Sequence, residues 1–276
     1  VRDEAKVNPR VIILTSTFPR HQFLYRYLAA RLSVVGVWQE EKSFKPASHA
    51  NGPDDADIIR RHFSARDDAE ARDFLDIGLA GEIDSKSCRQ VSVGGLNNPK
   101  EVTRMVEMEP DVVVVFGTGI LRGDILSRFE GQLLNIHLGL SPYYRGAGTN
   151  FWPLVNGEPE FVGATIHYLD SGIDTGPIIF HVRPEINRAD GPHELGNKAI
   201  RAAAEGMVKV VKAHHRGRLR SHPQTWKGRL YQRKDFNAEA VRQLYEQFDR
   251  GILGNYLDAK RTRDERINLV SLEEER

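Results

Sequence analysis

An amide and an imidazole two residues apart, Asn135-Ile136-His137, are the pair in this sequence best suited to chemistry. On a strand, alternation puts both side chains on one face. If the strand is parallel and ends there, both sit where open α/β sheets bind ligands, beyond the carboxyl ends of the strands. Amine attack on a carbonyl makes a tetrahedral oxyanion, which an amide N–H or an imidazolium can hold. The proton shed by the amine needs an acceptor nearby. Downstream, Leu169-Asp170-Ser171-Gly172-Ile173-Asp174-Thr175-Gly176-Pro177 reads as a tight turn that could bring Asp174 against His137. Such a carboxylate raises a histidine's pKa and fixes its ring. Each residue also has a purely structural reading: Asn135 capping a strand end, His137 satisfied in a core.

The elements that must position them follow from periodicity. Val11–Leu14 reads as a buried strand, His21–Leu32 as a helix and Val34–Trp38 as a second strand, an opening β-α-β of the parallel-sheet kind. Residues 41–90, with Lys45-Pro46 and Asn51-Gly52-Pro53, read as a loop plus an exposed helix over 54–76. Pro99–Met108 predicts a helix capped by Asn98. Asp111-Val-Val-Val-Val-Phe116 predicts a central strand covered on both faces. Ile120–Phe129 resumes helical spacing; Leu133–Leu138, Phe161–Leu169 and Pro177–Ile186 read as strands, and Gly191–Arg216 as a helix. The fold class is therefore α/β, a Rossmann-like, mostly parallel sheet flanked by helices. We expect a catalytic domain over 1–190 and a partly basic, helical extension over 191–276.

Bulk properties narrow the classes. The chain has 276 residues, 40% hydrophobic and 28% charged, with a net charge of +1, values of an ordinary globular protein without overall polyanion bias. Its one cysteine, Cys88, excludes an internal disulfide and speaks against a thiolate metal cluster. The apolar runs are too short to span a membrane, and the first ten residues lack an apolar signal core, which points to the cytoplasm. No G-x-G-x-x-G stands at a strand-to-helix junction, which counts against a nicotinamide dehydrogenase.

At Asn135-Ile-His137, followed by Gly139-Leu140-Ser141-Pro142, the sequence resembles the folate-dependent formyltransferases. That family includes glycinamide ribonucleotide transformylase, methionyl-tRNA formyltransferase and the sugar-nucleotide N-formyltransferases. Its Asp-x-Gly segment is similar to Asp174-Thr-Gly176, and its Arg-Gly…Trp…Asn-Gly stretch to Arg145-Gly146…Trp152…Asn156-Gly157. The resemblance covers about residues 10–190, with the motifs in the family's order. Gly139 and Ser141 depart from the usual serine and leucine of the turn.

The resemblance implies an N-formyltransferase with Asn135, His137 and Asp174 as catalytic residues, no metal, and 10-formyltetrahydrofolate as donor. It places the pterin in a slot formed by Phe116, Gly117, Thr118, Gly119, Ile120 and Leu121, closed by Asp170 and Gly172. Glycines there would let backbone approach a flat ring, although Gly117 and Gly119 also fit a simple strand-ending turn. Tyr143, Tyr144, Arg145, Asn150 and Trp152 should border the acceptor, an arginine beside aromatics suiting a phosphate- or nucleotide-bearing amine; Trp152 equally suits a core position. The leading acceptor is a nucleotide-linked amino sugar. The rival is initiator tRNA, for which the basic run Lys209, Lys212, Arg216, Arg218, Arg220, Lys227, Arg229, Arg233 and Lys234 would be the footprint; a solvated face is the plainer meaning of such a run. An amino acid or hydroxylamine acceptor is a third option, and a silent scaffold homologue a reading from another class. Val241, Leu244, Tyr245 and Phe248 share a helix face that would pack on a second copy in a homodimer or inside the chain.

Overall fold

In a computed structural model, residues 8–42, 50–75 and 87–273 are described. The readings of the extreme N-terminus and of Lys45-Pro46 lie outside them. The chain opens as expected, with β1 (Arg10–Thr15), α1 (Pro19–Ala29) and β2 (Ser33–Glu40), β1 and β2 pairing in parallel. Then come α2 (Pro53–Phe74), β3 (Cys88–Val91), α3 (Pro99–Glu107), β4 (Val112–Phe116), α4 (Asp124–Arg128) and β5 (Leu133–Leu138). Asn98 caps α3 as read, its side chain accepting the Lys100 N–H. The apolar run of β4 is buried along its whole length, as befits a strand covered on both faces.

Among the described residues seven strands form one sheet in the order β3-β2-β1-β4-β5-β7-β8. Here β7 is Ala164–Tyr168 and β8 is Ile178–Val182. The first five run parallel, β7 pairs antiparallel with β5, and β8 pairs antiparallel with β7. The strand order reverses between β1 and β4, so the crevice at their carboxyl ends, with β5 beside it, is where such a sheet takes ligands. Helix α6 (Pro192–His215) lays Ile200, Ala203, Ala204, Met207 and Val211 into the same core cluster as Val11, Val114 and Ile136. The predicted boundary at 190 falls just before this helix, which covers the sheet.

Two readings are corrected and one strand is added. Helix α2 is exposed on one face only: Ile59, Ala69 and Phe74 are buried, and the Phe74 ring stacks on Phe23 at 4.8 Å. The helix expected over Ile120–Phe129 shrinks to α4, because Gly123 takes a left-handed φ of 68° before it. The edge strand β3 went unread because Cys-Arg-Gln-Val carries no alternation.

The tail folds as α7 (Ala238–Asp249), α8 (Ile252–Asp258) and α9 (Lys260–Asp264). Of the two readings for Val241 and Leu244, the internal contact is the one found. Both are buried within the chain, in helix α7, which packs on α2 and on α5 (Phe151–Val155). Arg242 pairs with Asp55 at 2.6 Å, and the Tyr245 hydroxyl lies 3.2 Å from His62 Nδ1 on α2.

Candidate active site

Strand β5 delivers Asn135 and His137 to the crevice, and its antiparallel partner β7 sets His167 opposite Asn135 and Thr165 opposite His137. The Asn135 amide Nδ2–H donates to His167 Nε2 at 3.0 Å, while His167 Nδ1–H donates to the Tyr168 carbonyl at 2.8 Å. That leaves His167 one proton and one lone pair, a neutral ring. Burial depresses its pKa and outweighs the nearby Asp174 charge. His167 therefore works as an orienting acceptor for the amide. The sequence reading missed it; alternation on Ala164–Tyr168 would have found it only with the β5–β7 register in hand.

His137 is the opposite case. Its Nδ1 lies 3.2 Å from Asp174 Oδ1, and its Nε2 lies 3.1 Å from the Tyr144 carbonyl oxygen. Both partners only accept, so both ring nitrogens must carry protons, which makes the ring an imidazolium. Burial pushes its pKa down, but the charge and hydrogen bond of Asp174 and the Tyr144 carbonyl outweigh it and hold it above 6.5. Burial raises the Asp174 carboxyl, yet chiefly the His137 charge and hydrogen bond, with the Gly146 N–H, bring it to about 2. Each partner thus favours the ionised form of the other, with the His137 side chain only 6% exposed.

Asp174 is held unusually firmly. It adopts φ 52°, a left-handed conformation that costs a non-glycine residue free energy and that clusters at functional sites. Its Oδ2 accepts the Gly146 N–H at 3.0 Å. Its backbone carbonyl and that of Gly176 accept both N–H bonds of Gln224, at 2.8 and 2.9 Å. Asp170 ties the same turn together by accepting from the Gly172 N–H and the Thr175 hydroxyl. Gln224 has no signal in the sequence, since it lies within a basic, irregular stretch.

The departures in the 139–142 turn have a physical account. Gly139 has φ 121°, and a Cβ there would lie 2.6 Å from the Thr149 side chain, so glycine is required. Thr165 clasps the turn, accepting the Ser141 N–H at 2.8 Å and donating to the Gly139 carbonyl at 2.7 Å. The Ser141 hydroxyl itself is buried without a hydrogen-bond partner among the described residues.

The expected slot residues divide into two groups. Phe116 and Leu121 are buried, Phe116 against the His21 ring at 4.9 Å. Leu121 and Leu169 belong to one apolar cluster, which seats the bases of the two turns on common packing. Between them Gly117, Thr118, Gly119 and Ile120 form an open turn. Gly117 has φ 66°, Gly119 donates its N–H to Glu40, and Ile120 is 64% exposed.

Of the expected acceptor residues, Asn150 holds the Gly163 N–H at 3.0 Å, and Trp152 is buried, stacked on Tyr231 at 4.3 Å. Tyr144 and Arg145 lie on the short strand β6 (Tyr144–Gly146), which pairs with β9 (Arg229–Tyr231). Arg145 is nine-tenths buried beside His137, whose charge it opposes, and its Nε has no hydrogen-bond partner among the described residues. Among the described residues no group of three or more His, Cys, Asp or Glu is placed to hold a metal ion, and no helix is long and apolar enough to cross a membrane.

A mostly parallel sheet ending in an amide, a buried histidine–carboxylate pair and two glycine-bearing turns holds together the three motifs on which the resemblance to the formyltransferases was read. Residues 83–211, just under half the chain, match the family model described as formyl transferase, which bears out the resemblance read from the motifs. Among curated relatives, methionyl-tRNA formyltransferase of Caldanaerobacter subterraneus is 35% identical over 124 residues, 45% of this chain and 40% of the relative. The matched stretch thus spans about 40% of the length of such relatives. Among solved structures, a sugar N-formyltransferase from a Shewanella species aligns with TM-score 0.52 at 18% identity, over 83% of this chain and 78% of that one. Phosphoribosylglycinamide formyltransferase from Anaplasma phagocytophilum aligns with TM-score 0.55 at 17% identity, over 82% and 100%. At these identities the likeness is one of fold.

Proposed function

We propose that the protein transfers a formyl group from 10-formyltetrahydrofolate to the primary amine of a nucleotide-linked amino sugar. The observation that carries the transfer chemistry is the buried His137–Asp174 ion pair beside the oriented amide of Asn135. The neutral amine attacks the formyl carbon, forming the new C–N bond, and the bond from that carbon to N10 breaks. The amine's proton passes by water to N10. Asn135 has a second N–H, not engaged by the described residues, to donate to the oxyanion. His137 has both ring N–H groups occupied and contributes its positive charge. Asp174 keeps that charge in place.

The pterin ring lies on the open turn 117–120, floored by Phe116 and Leu121 and covered by the 170–174 turn. Support for a phosphate-bearing acceptor comes from Arg145, a guanidinium that lies close enough to His137 for its charge to be felt there. The basic run supports tRNA weakly, because Arg229 is paired with Glu158 at 2.6 Å and Arg220 with Glu273 at 3.8 Å. The second reading, a charged-tRNA acceptor, draws on the methionyl-tRNA formyltransferases among the relatives.

A screen with formyl-labelled donor separates the two. Label should move to nucleotide-linked amino sugars and not to charged tRNA. Label on tRNA alone, at low salt, sinks the sugar reading; no label on any amine sinks formyl transfer.

A further inference from the structure

The turn that leaves β4 carries Gly117, Gly119 and the exposed Ile120, the composition of a segment free to move. Left to itself, it would have to be ordered whenever a ligand bound, and that entropy would be subtracted from affinity. Its backbone is instead held by side chains from two neighbouring connections. Glu40, at the carboxyl end of β2, is 2% exposed. The strand order sets β1 between β2 and β4, so the Glu40 side chain reaches across the end of β1 to meet this turn. Its Oε2 accepts the Gly119 N–H, its Oε1 accepts the Gly94 N–H at 2.8 Å, and its backbone carbonyl accepts the Ser16 hydroxyl at 2.7 Å. One residue thus joins the connections that leave β1, β3 and β4. A carboxylate accepts at both oxygens, which an amide cannot do. Lys42, two residues on, donates to the Gly117 carbonyl and places a positive charge near the buried carboxylate.

Asn97, half-buried on the short helical turn Gly95–Asn97 after β3, closes the other side. Its Nδ2–H donates to the Ile120 carbonyl at 3.0 Å, and its Oδ1 accepts the Arg122 N–H at 2.9 Å. A primary amide presents one donor face and one acceptor face, the complement of a C=O and an N–H two residues apart. We propose that Glu40 and Asn97 are positioning residues for the formyl donor, holding the 117–122 turn in its ligand-ready shape before the folate arrives. Both act on the backbone of the turn and not on Asn135, His137 or Asp174, so their effect falls on donor binding and not on bond making.

The assignment of this turn to the donor rests on the folate reading above, so one readout is taken without ligand. Amide hydrogen exchange should be about tenfold faster at Arg122 in Asn97→Ala, and at Gly119 in Glu40→Gln, than in the wild type. The second readout is calorimetric titration with tetrahydrofolate, the product of the proposed transfer, in the absence of oxygen. Each variant should bind about tenfold more weakly, a loss of about 1.4 kcal/mol. In turnover the donor KM should rise, with the acceptor KM and the kcat at saturating donor near wild-type values. Asn97→Ala removes only a half-buried side chain, so it decides the case even where Glu40→Gln lowers the melting temperature. Unchanged exchange in Asn97→Ala overturns the clamp. Faster exchange with unchanged tetrahydrofolate affinity, or a fall in kcat alone, overturns its role toward the donor. Wild-type protein that binds no tetrahydrofolate at millimolar concentration, with exchange as expected, faults the folate reading and not the clamp.

Discussion

Asp174→Asn should lower formyl transfer by at least ~10²-fold while the protein stays folded. Its diagnostic effect lies on His137. In the wild type burial pulls that ring toward neutrality and is overcome mainly by the Asp174 charge. An asparagine leaves burial dominant, so His137 should be neutral at pH 7, whereas the wild-type ring stays protonated above pH 6.5. Ring nitrogen and carbon shifts of His137, followed by NMR across pH 5–9, read this directly. Stability carries the same signature. The Asp174 pKa is depressed to about 2, so its contribution is full above about 3.8 and is lost as pH falls toward 2. The His137 pKa is raised, so its contribution is full below 6.5 and is lost as pH rises through the folded value. Melting profiles of the variant should lack both terms. A variant in which His137 remains charged at pH 8 would show that Asp174 does not set the site.

Gly146→Ala should damage both fold and site. Gly146 has φ 90°, and its Cβ would fall 2.1 Å from the Tyr231 carbonyl across the β6–β9 pair. The left-handed conformation alone costs about 1–3 kcal/mol for a side chain, and the clash comes on top of that. Backbone movement that relieves it breaks the β6–β9 pairing or the Gly146 N–H bond to Asp174, so melting temperature and activity should fall together. Gly148→Ala is the control. It also has a positive φ, 71°, but its nearest neighbour is Trp152 Nε1 at 3.4 Å and its N–H does not reach Asp174. A modest melting shift with activity retained there, against loss of both at Gly146, isolates the strand contact. Equal effects would mean that backbone strain, not the Asp174 link, decides the outcome.

The elements legible in the amino-acid sequence are those where hydrophobic burial dominates. β1, β4, β5 and α6 announce themselves because their apolar residues face a core on regular spacing. β6 and β9 are three residues each, too short for any period, and form because Tyr144, Trp152 and Tyr231 stack around them. At the site, Asn135 and His137 are legible from their spacing and Asp174 from its turn. His167 and Gln224 are not, since one depends on strand register and the other on a long-range hydrogen bond. Helix spacing at Val241 and Leu244 shows that the face is buried, but spacing is silent on whether the covering surface is internal or a second copy.

The amide beside the His137–Asp174 pair is assigned the central role, stabilising the oxyanion of formyl transfer. Single-turnover assays with labelled 10-formyltetrahydrofolate and a nucleotide-linked amino sugar, comparing wild type with Asn135→Ala, test it most directly. Losing one oxyanion donor should slow the transfer step by ~10²–10³-fold with donor binding little changed. Transfer by Asn135→Ala within a few-fold of wild type would contradict that assignment.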